Sequence, residues 1–171
     1  PPSIGHALAG ATVIVNLSAS DEVTGKDLYR RQLVSGQSAR LVCGYIYADA
    51  GEGESSTDLV FGAHNIIAEN GVILGETPRF DNQAVYSELD IRRLRGERRR
   101  MTTYSAPSDP DYQIVNFHLN PVTTKLTRTF DPAPFVPSDK GDRERRCEEI
   151  LSIQALGLRK RLEHTGCTSA V

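Results

Sequence analysis

The sequence predicts an α/β fold built on a mixed sheet, and three observations carry that expectation. Residues 12–17 (TVIVNL) and 41–47 (LVCGYIY) are apolar, strand-forming runs. Between them, residues 25–40 show a helical pattern, so strand, helix and strand follow one another and call for a crossover and a parallel pair. Further on, short apolar segments are separated by tight turns, above all Asn70-Gly71, the strongest short hairpin signal. Hairpins place strands antiparallel, so the sheet is expected to be mixed.

Each element has its own reason. Residues 12–17 are β-branched with no polar alternation, which suits a strand buried on both faces. Ser18, Ser20 and Asp21 end it, and Thr24 is the expected N-cap of the following helix. Leu28, Val34 and Ala39 stand among its polar residues. Residues 59–61, 64–69, 72–76 and 84–89 are expected as further short strands. Residues 90–101 read as a charged helix, and 112–119 (YQIVNFHL) alternates like another strand. Pro121, Pro132, Pro134 and Pro137 give residues 120–139 the composition of a linker. A long helix is expected over 142–164, capped by Ser138 or Asp139 and stopped by Gly166. Cys147, Ile150, Leu151, Leu158 and Leu162 would share its apolar stripe. The expected division is therefore 1–119, a linker at 120–139, and a helical segment from 140 to 171.

Bulk properties narrow the classes. The 171 residues are 39% hydrophobic, enough for a real core, and carry a formal charge of -2, which argues against a protein built wholesale around nucleic acid. No apolar run approaches the roughly 18 residues of a membrane span. Three scattered cysteines, Cys43, Cys147 and Cys167, form neither a disulfide framework nor a metal pattern and fit a reducing cytoplasm. His6, His64, His118 and His164 lack metal-ligand spacing. Both ends read as cut. Pro1-Pro2 leads directly to the strand-forming run at 11–15, and Ser169, Ala170 and Val171 stop where apolar residues gather. The expectation is an internal piece of a longer polypeptide.

Candidate chemistry gathers after the two strands. Ser20 and Lys26 offer a hydroxyl and an ammonium that can hold an amino acid's α-carboxylate by charge-assisted bonds. The plainer alternative is a helix cap and a solvated lysine. Glu52 and Glu54 lie in a loop with Gly51, Gly53 and the hydroxyl residues Ser55, Ser56 and Thr57. Their carboxylates could orient an ammonium or a catalytic lysine, or simply be a solvated acidic loop. The glycines fit neither the phosphate-loop nor the dinucleotide pattern. Cys43 sits mid-strand and reads as an inert core thiol. Arg92, Arg93, Arg95, Arg98, Arg99 and Arg100 make a basic run without interleaved aromatics, which favours a solvated or salt-bridged helix face over nucleic-acid binding.

A series of ordered motifs goes further. They are PPS (1–3), HALAGATVIVNLSAS (6–20), YRRQLVSGQSAR (29–40), YADAGEGESSTDLVF (47–61), IIAENG (66–71), PFVPSD (134–139) and RCEEILSIQALGLRKRLEHTG (146–166). Across essentially all 171 residues the chain resembles the glutamine-dependent NAD synthetases. The resemblance implies the C-terminal part of a nitrilase-type αββα sandwich, a linker, and the first helix of an ATP-dependent synthetase domain. It implies glutamine hydrolysis by a glutamate, a lysine and a cysteine, all expected upstream of Pro1, with ammonia passed on to amidate deamido-NAD at the expense of ATP and magnesium. Ser20 and Lys26 match glutamine-contacting positions, and Glu52 and Glu54 match the mouth of that pocket. Residues 61–71 match the nitrilase F-x-G-x-S-x-I-x-x-P signature loosely, with Ala63, Asn65 and Asn70 at its glycine, serine and proline places. By itself the chain would hydrolyse and ligate nothing and bind no cofactor. A cytoplasmic homo-oligomer with no nucleic-acid or membrane partner is expected. Two other readings stand beside this one: a stand-alone nitrilase-type amidase, and a nucleic-acid-binding module using the basic helix.

Overall fold

The computed structural model describes residues 1–54, 57–104 and 112–169. Ser55 and Ser56 of the hydroxyl loop, and Ala170 and Val171, lie outside the described residues. The chain divides into two units, Pro1–Arg128 and Thr129–Val171. The first holds α1 (Pro2–Leu8), β1 (Val13–Ser18), α2 (Lys26–Leu41), β2 (Gly44–Asp49), β3 (Ile66–Glu69), β4 (Val72–Glu76) and α3 (Ile91–Arg100). The strands form one sheet in the order β1-β2-β3-β4. β1 and β2 are parallel, and the other two pairings are antiparallel, so the sheet is mixed as expected.

The β1-α2-β2 unit builds the core. Ile14, Tyr45, Tyr47, Ile66 and Ala68 from the strands meet Val34 and Leu41 of α2, with Ala7 of α1 beside them. α1 is unexpected, because residues 1–10 read as a bare lead into the first strand. Seven residues are too few for a periodic signal. Proline suits the first turn of a helix, where its missing N–H has no intrahelical partner to lose. Thr24 does not cap α2. That place belongs to Gly25, at φ 81°, with no side-chain cap. The helix also runs on through Leu41, and Val42 closes it at φ 47°. Val34, Ser38 and Leu41 follow one another on the buried face, so the apolar run at 41–43 completes that face before the strand begins at Gly44. β1 is not buried on both faces. Ile14 points into the core, whereas Val15 and Leu17 are 60% and 82% exposed on the other side.

Asn70-Gly71 turns the β3–β4 hairpin as expected, with both residues at positive φ (46° and 90°), as a type I′ turn requires. The Gly71 N–H donates to Ser38 Oγ at 3.0 Å, tying the hairpin to α2. Other expected strands are absent. Residues 59–61 contribute one isolated bridge, Asp21 to Phe61. Residues 84–89 and 112–119 form no ladder. Leu89 instead packs on Gly44, where an added Cβ would lie 2.7 Å from Leu89 Cδ1. Alternation supplies a strand's faces but not its hydrogen-bonded neighbour, and these segments find none among the described residues.

α3 begins at Asp90, whose side chain accepts the Arg93 N–H at 2.9 Å. Its basic run is only in part the solvated face expected. Arg98 reaches back to the end of α2, donating to Val42 O (3.0 Å), Leu41 O (3.1 Å) and Ala11 O (2.8 Å). A cation there meets both the orphan carbonyls and the negative end of the helix. Near the end of the unit, Arg128 makes a two-pronged pair with Glu69 at 2.8 and 3.0 Å.

In the second unit, α4 (Lys140–Thr165) is capped by Asp139 and closed by Gly166 at φ 69°, both as expected. None of its described residues is buried, and Cys147, Ile150, Leu151 and Leu158 stand exposed. Residues 120–139 hold no helix or strand. No described helix is long and apolar enough to cross a membrane.

Arg98→Ala should destabilise the first unit by about 1–3 kcal/mol, because several carbonyls lose a charged donor together. Arg99→Ala, on an exposed side chain, should stay within about 0.5 kcal/mol. Urea unfolding of both variants checks the contrast.

Candidate functional site

The parallel register puts Asn16 beside Tyr47 and Ser18 beside Asp49, all on the face that α2 covers. α2 leaves a cleft of about 250 Å³ there, lined by Asn16, Ser20, Tyr45, Tyr47 and, from the helix, Lys26 and Arg30. Ser20 and Lys26, singled out from the sequence, are thus brought to one cavity. The Ser20 N–H donates to Asp49 Oδ1 at 3.1 Å. Lys26 Nζ donates to Asp21 O at 2.5 Å and to Asp21 Oδ1 at 2.9 Å. That lysine holds the Asp21 carboxyl below its usual range.

Beneath these two residues lies a buried charge network. Arg30, 3% exposed, donates from Nη1 to Glu22 Oε2 (3.0 Å) and to His64 Nδ1 (3.2 Å). Its Nη2 sits 3.6 Å from Asp49 Oδ2. The side chains of Glu22 and Asp49 are 5% and 0% exposed. Burial opposes the Arg30 charge, but the Glu22 hydrogen bond and the Asp49 and Glu22 carboxylates outweigh it and raise its pKa. Since His64 Nδ1 accepts from Arg30, its proton belongs on Nε2, which lies 3.2 Å from Glu76 Oε2. Burial works to raise the Glu76 pKa, yet Arg31 and His64 hold it below the usual carboxylate value. Arg79 adds a contact to Glu22 at 3.3 Å. Among the described residues, Arg30 Nε and Nη2 and Asp49 Oδ2 have no hydrogen-bond partner.

Sequence reasoning missed Arg30, Glu22, Asp49 and His64. A signal for one existed. Arg30 shares a helical face with Val34, Ser38 and Leu41, all buried, and a charge in that register demands a buried counter-charge. Which carboxylates answer it depends on long-range packing.

Glu52 and Glu54 do not line the cleft. Both are exposed on the turn after β2, where Asn82 clasps the Glu52 backbone at 3.1 and 3.2 Å. Cys43 is fully buried, and burial pushes its thiol up to about 11, so it is the inert core residue expected. Among the described residues no three metal-ligating side chains cluster. The cleft combines an ammonium, a buried guanidinium, an amide and phenol hydroxyls, which suits a small zwitterionic or carboxylate ligand.

No family model matches the chain. It is 40% identical over 174 residues to the glutamine-dependent NAD(+) synthetase of Mycobacterium leprae, and 39% identical over 172 residues to those of Mycobacterium bovis and Mycobacterium tuberculosis. The chain is similar to one quarter of a glutamine-dependent NAD(+) synthetase. Each alignment takes in 95% of this chain and 25% of the relative's length. The resemblance to glutamine-dependent NAD(+) synthetases read from the motifs therefore holds along nearly the whole chain. A solved glutamine-dependent NAD(+) synthetase from Cytophaga hutchinsonii aligns with 43% of this chain and 13% of its own, at 34% identity and a TM-score of 0.41.

Iodoacetamide at pH 8 should label the exposed Cys147 and Cys167 in the folded chain and leave Cys43 unmodified until urea is added. Peptide mapping by mass spectrometry reads the pattern directly.

Proposed function

We propose that this chain supplies part of the glutamine site of a glutamine-dependent NAD(+) synthetase. The observation that carries the proposal is the meeting of Ser20 and Lys26 in one cleft, within a chain 40% identical to such enzymes. Lys26 would hold the glutamine α-carboxylate, with Ser20 as its hydroxyl partner, and Glu52 and Glu54, which do not line the cleft itself, would stand near its mouth in the whole enzyme. Residues 1–119 would be the C-terminal part of a nitrilase-type αββα glutaminase, 120–139 the linker, and 140–171 the start of the synthetase domain. Ala63 supports the nitrilase reading. It adopts φ 51°, a conformation that favours glycine, at the place where the nitrilase signature has glycine.

In the whole enzyme, a cysteine activated by a glutamate and a lysine would attack the glutamine amide, forming a thioester and freeing ammonia. The ammonia would then amidate deamido-NAD, with ATP and magnesium held by the synthetase domain. The protein would work as a cytoplasmic homo-oligomer.

The test replaces the matching quarter of the Mycobacterium tuberculosis relative with this chain and compares NAD formation from glutamine and from ammonia. Glutamine-driven synthesis should persist. Ser20→Ala or Lys26→Ala should raise the glutamine KM about 10- to 100-fold, the equivalent of about 1.5–3 kcal/mol for a charged hydrogen bond. A chimera that uses ammonia but never glutamine overturns the proposal, and an unchanged glutamine KM removes the two residues from the site.

A further inference from the structure

The geometry points to Asp49 as the positioning residue of the glutamine cleft, acting through Ser20 and Arg30 rather than on the ligand. This rests on the proposed glutamine site. Ser20 and Lys26 flank the loop between β1 and α2, which holds one isolated bridge, Asp21 to Phe61, and no helix or strand, so its position depends on what ties it down. Two buried carboxylates hold it. Asp49 Oδ1 accepts the Ser20 N–H at 3.1 Å and the Tyr47 hydroxyl at 3.3 Å. Glu22, inside the loop, receives Arg30 at 3.0 Å, and its own N–H donates to Val60 O at 2.6 Å. Arg30 Nη2 lies 3.6 Å from Asp49 Oδ2, so a chain of alternating charge, Glu22–Arg30–Asp49, spans the loop and the end of β2.

Stability alone is a poor reason for this arrangement. Burying three charges is costly, and well-packed apolar groups of similar volume are often as stable or more so. A fully enclosed carboxylate gives instead a fixed acceptor at a defined point. Asp49 stands at the last position of β2, the rigid element of the cleft, and there it fixes the Ser20 backbone. Through the Tyr47 hydroxyl, which also lies 2.9 Å from the Ser18 hydroxyl, the same carboxylate orients a phenol lining the cavity. The conformational cost of ordering the loop is thereby met before a ligand arrives.

The test uses the 171-residue chain, labelled with ¹⁵N, titrated with L-glutamine and followed by NMR together with amide exchange. In the native sequence, glutamine should shift the Ser20 and Lys26 signals. Asp49→Ala should speed Ser20 amide exchange and weaken glutamine binding, each by about tenfold or more. Asp49→Asn, whose amide oxygen can still accept, should restore Ser20 protection and most of the affinity. Unchanged Ser20 exchange in Asp49→Ala overturns the proposal. So does an equal loss of protection throughout β1 and β2 in both variants, the signature of a merely structural role. A native chain silent to glutamine overturns the glutamine reading itself, and it is told apart because Ser20 exchange still reports on Asp49.

Discussion

Everything near the cleft turns on one enclosed cation. Arg30 projects from α2 into a space where water cannot solvate it, and its charge survives only because Glu22 and Asp49 are enclosed with it. Those two carboxylates come from different segments, one from the loop after β1 and one from the end of β2. A helix, a strand and a connecting loop are thereby locked to a common centre. His64 and Glu76 continue the network from Arg30 toward the hairpin. The aliphatic core of Ile14, Val34, Leu41 and Ile66 supplies cohesion, whereas the charge network determines where the loop lies.

A second arginine does for the helix end what Arg30 does for the loop. Val42 leaves α2 in the left-handed region, unfavourable for a β-branched side chain. Its carbonyl and that of Leu41 turn toward Arg98, and Tyr104 donates to Leu41 O at 3.1 Å. The strained exit directs the chain straight into β2, which begins at Gly44 and carries Tyr45, Tyr47 and Asp49 to the cleft. The position of the cleft thus depends on a contact made by α3, half the unit away in sequence.

What could be read from the amino-acid sequence was local. Asn70-Gly71, the Asp139 cap and the Gly166 stop depend on neighbouring residues, and the structure matches them. The β-α-β unit was legible because two apolar runs flank a helical pattern. Its boundaries were not, because Leu41 and Val42 suit a buried helix end as well as a strand. Residues 84–89 and 112–119 have strand-like composition but pair with no strand among the described residues, and composition does not show pairing. In the candidate site, Ser20 and Lys26 were legible through motif resemblance. The Arg30 network was not, since its partners lie 8, 19 and 34 positions away.

The open side of β1 has a practical consequence for handling the molecule. Val15 and Leu17 present greasy surface on a strand whose outer rim has no neighbour among the described residues. Such a rim templates the addition of a further strand, whether from the same molecule or from another copy. Concentrated solutions of the isolated chain should therefore turn cloudy by strand stacking well before the core melts, and a lysine in place of Leu17 is the simplest way to keep them clear.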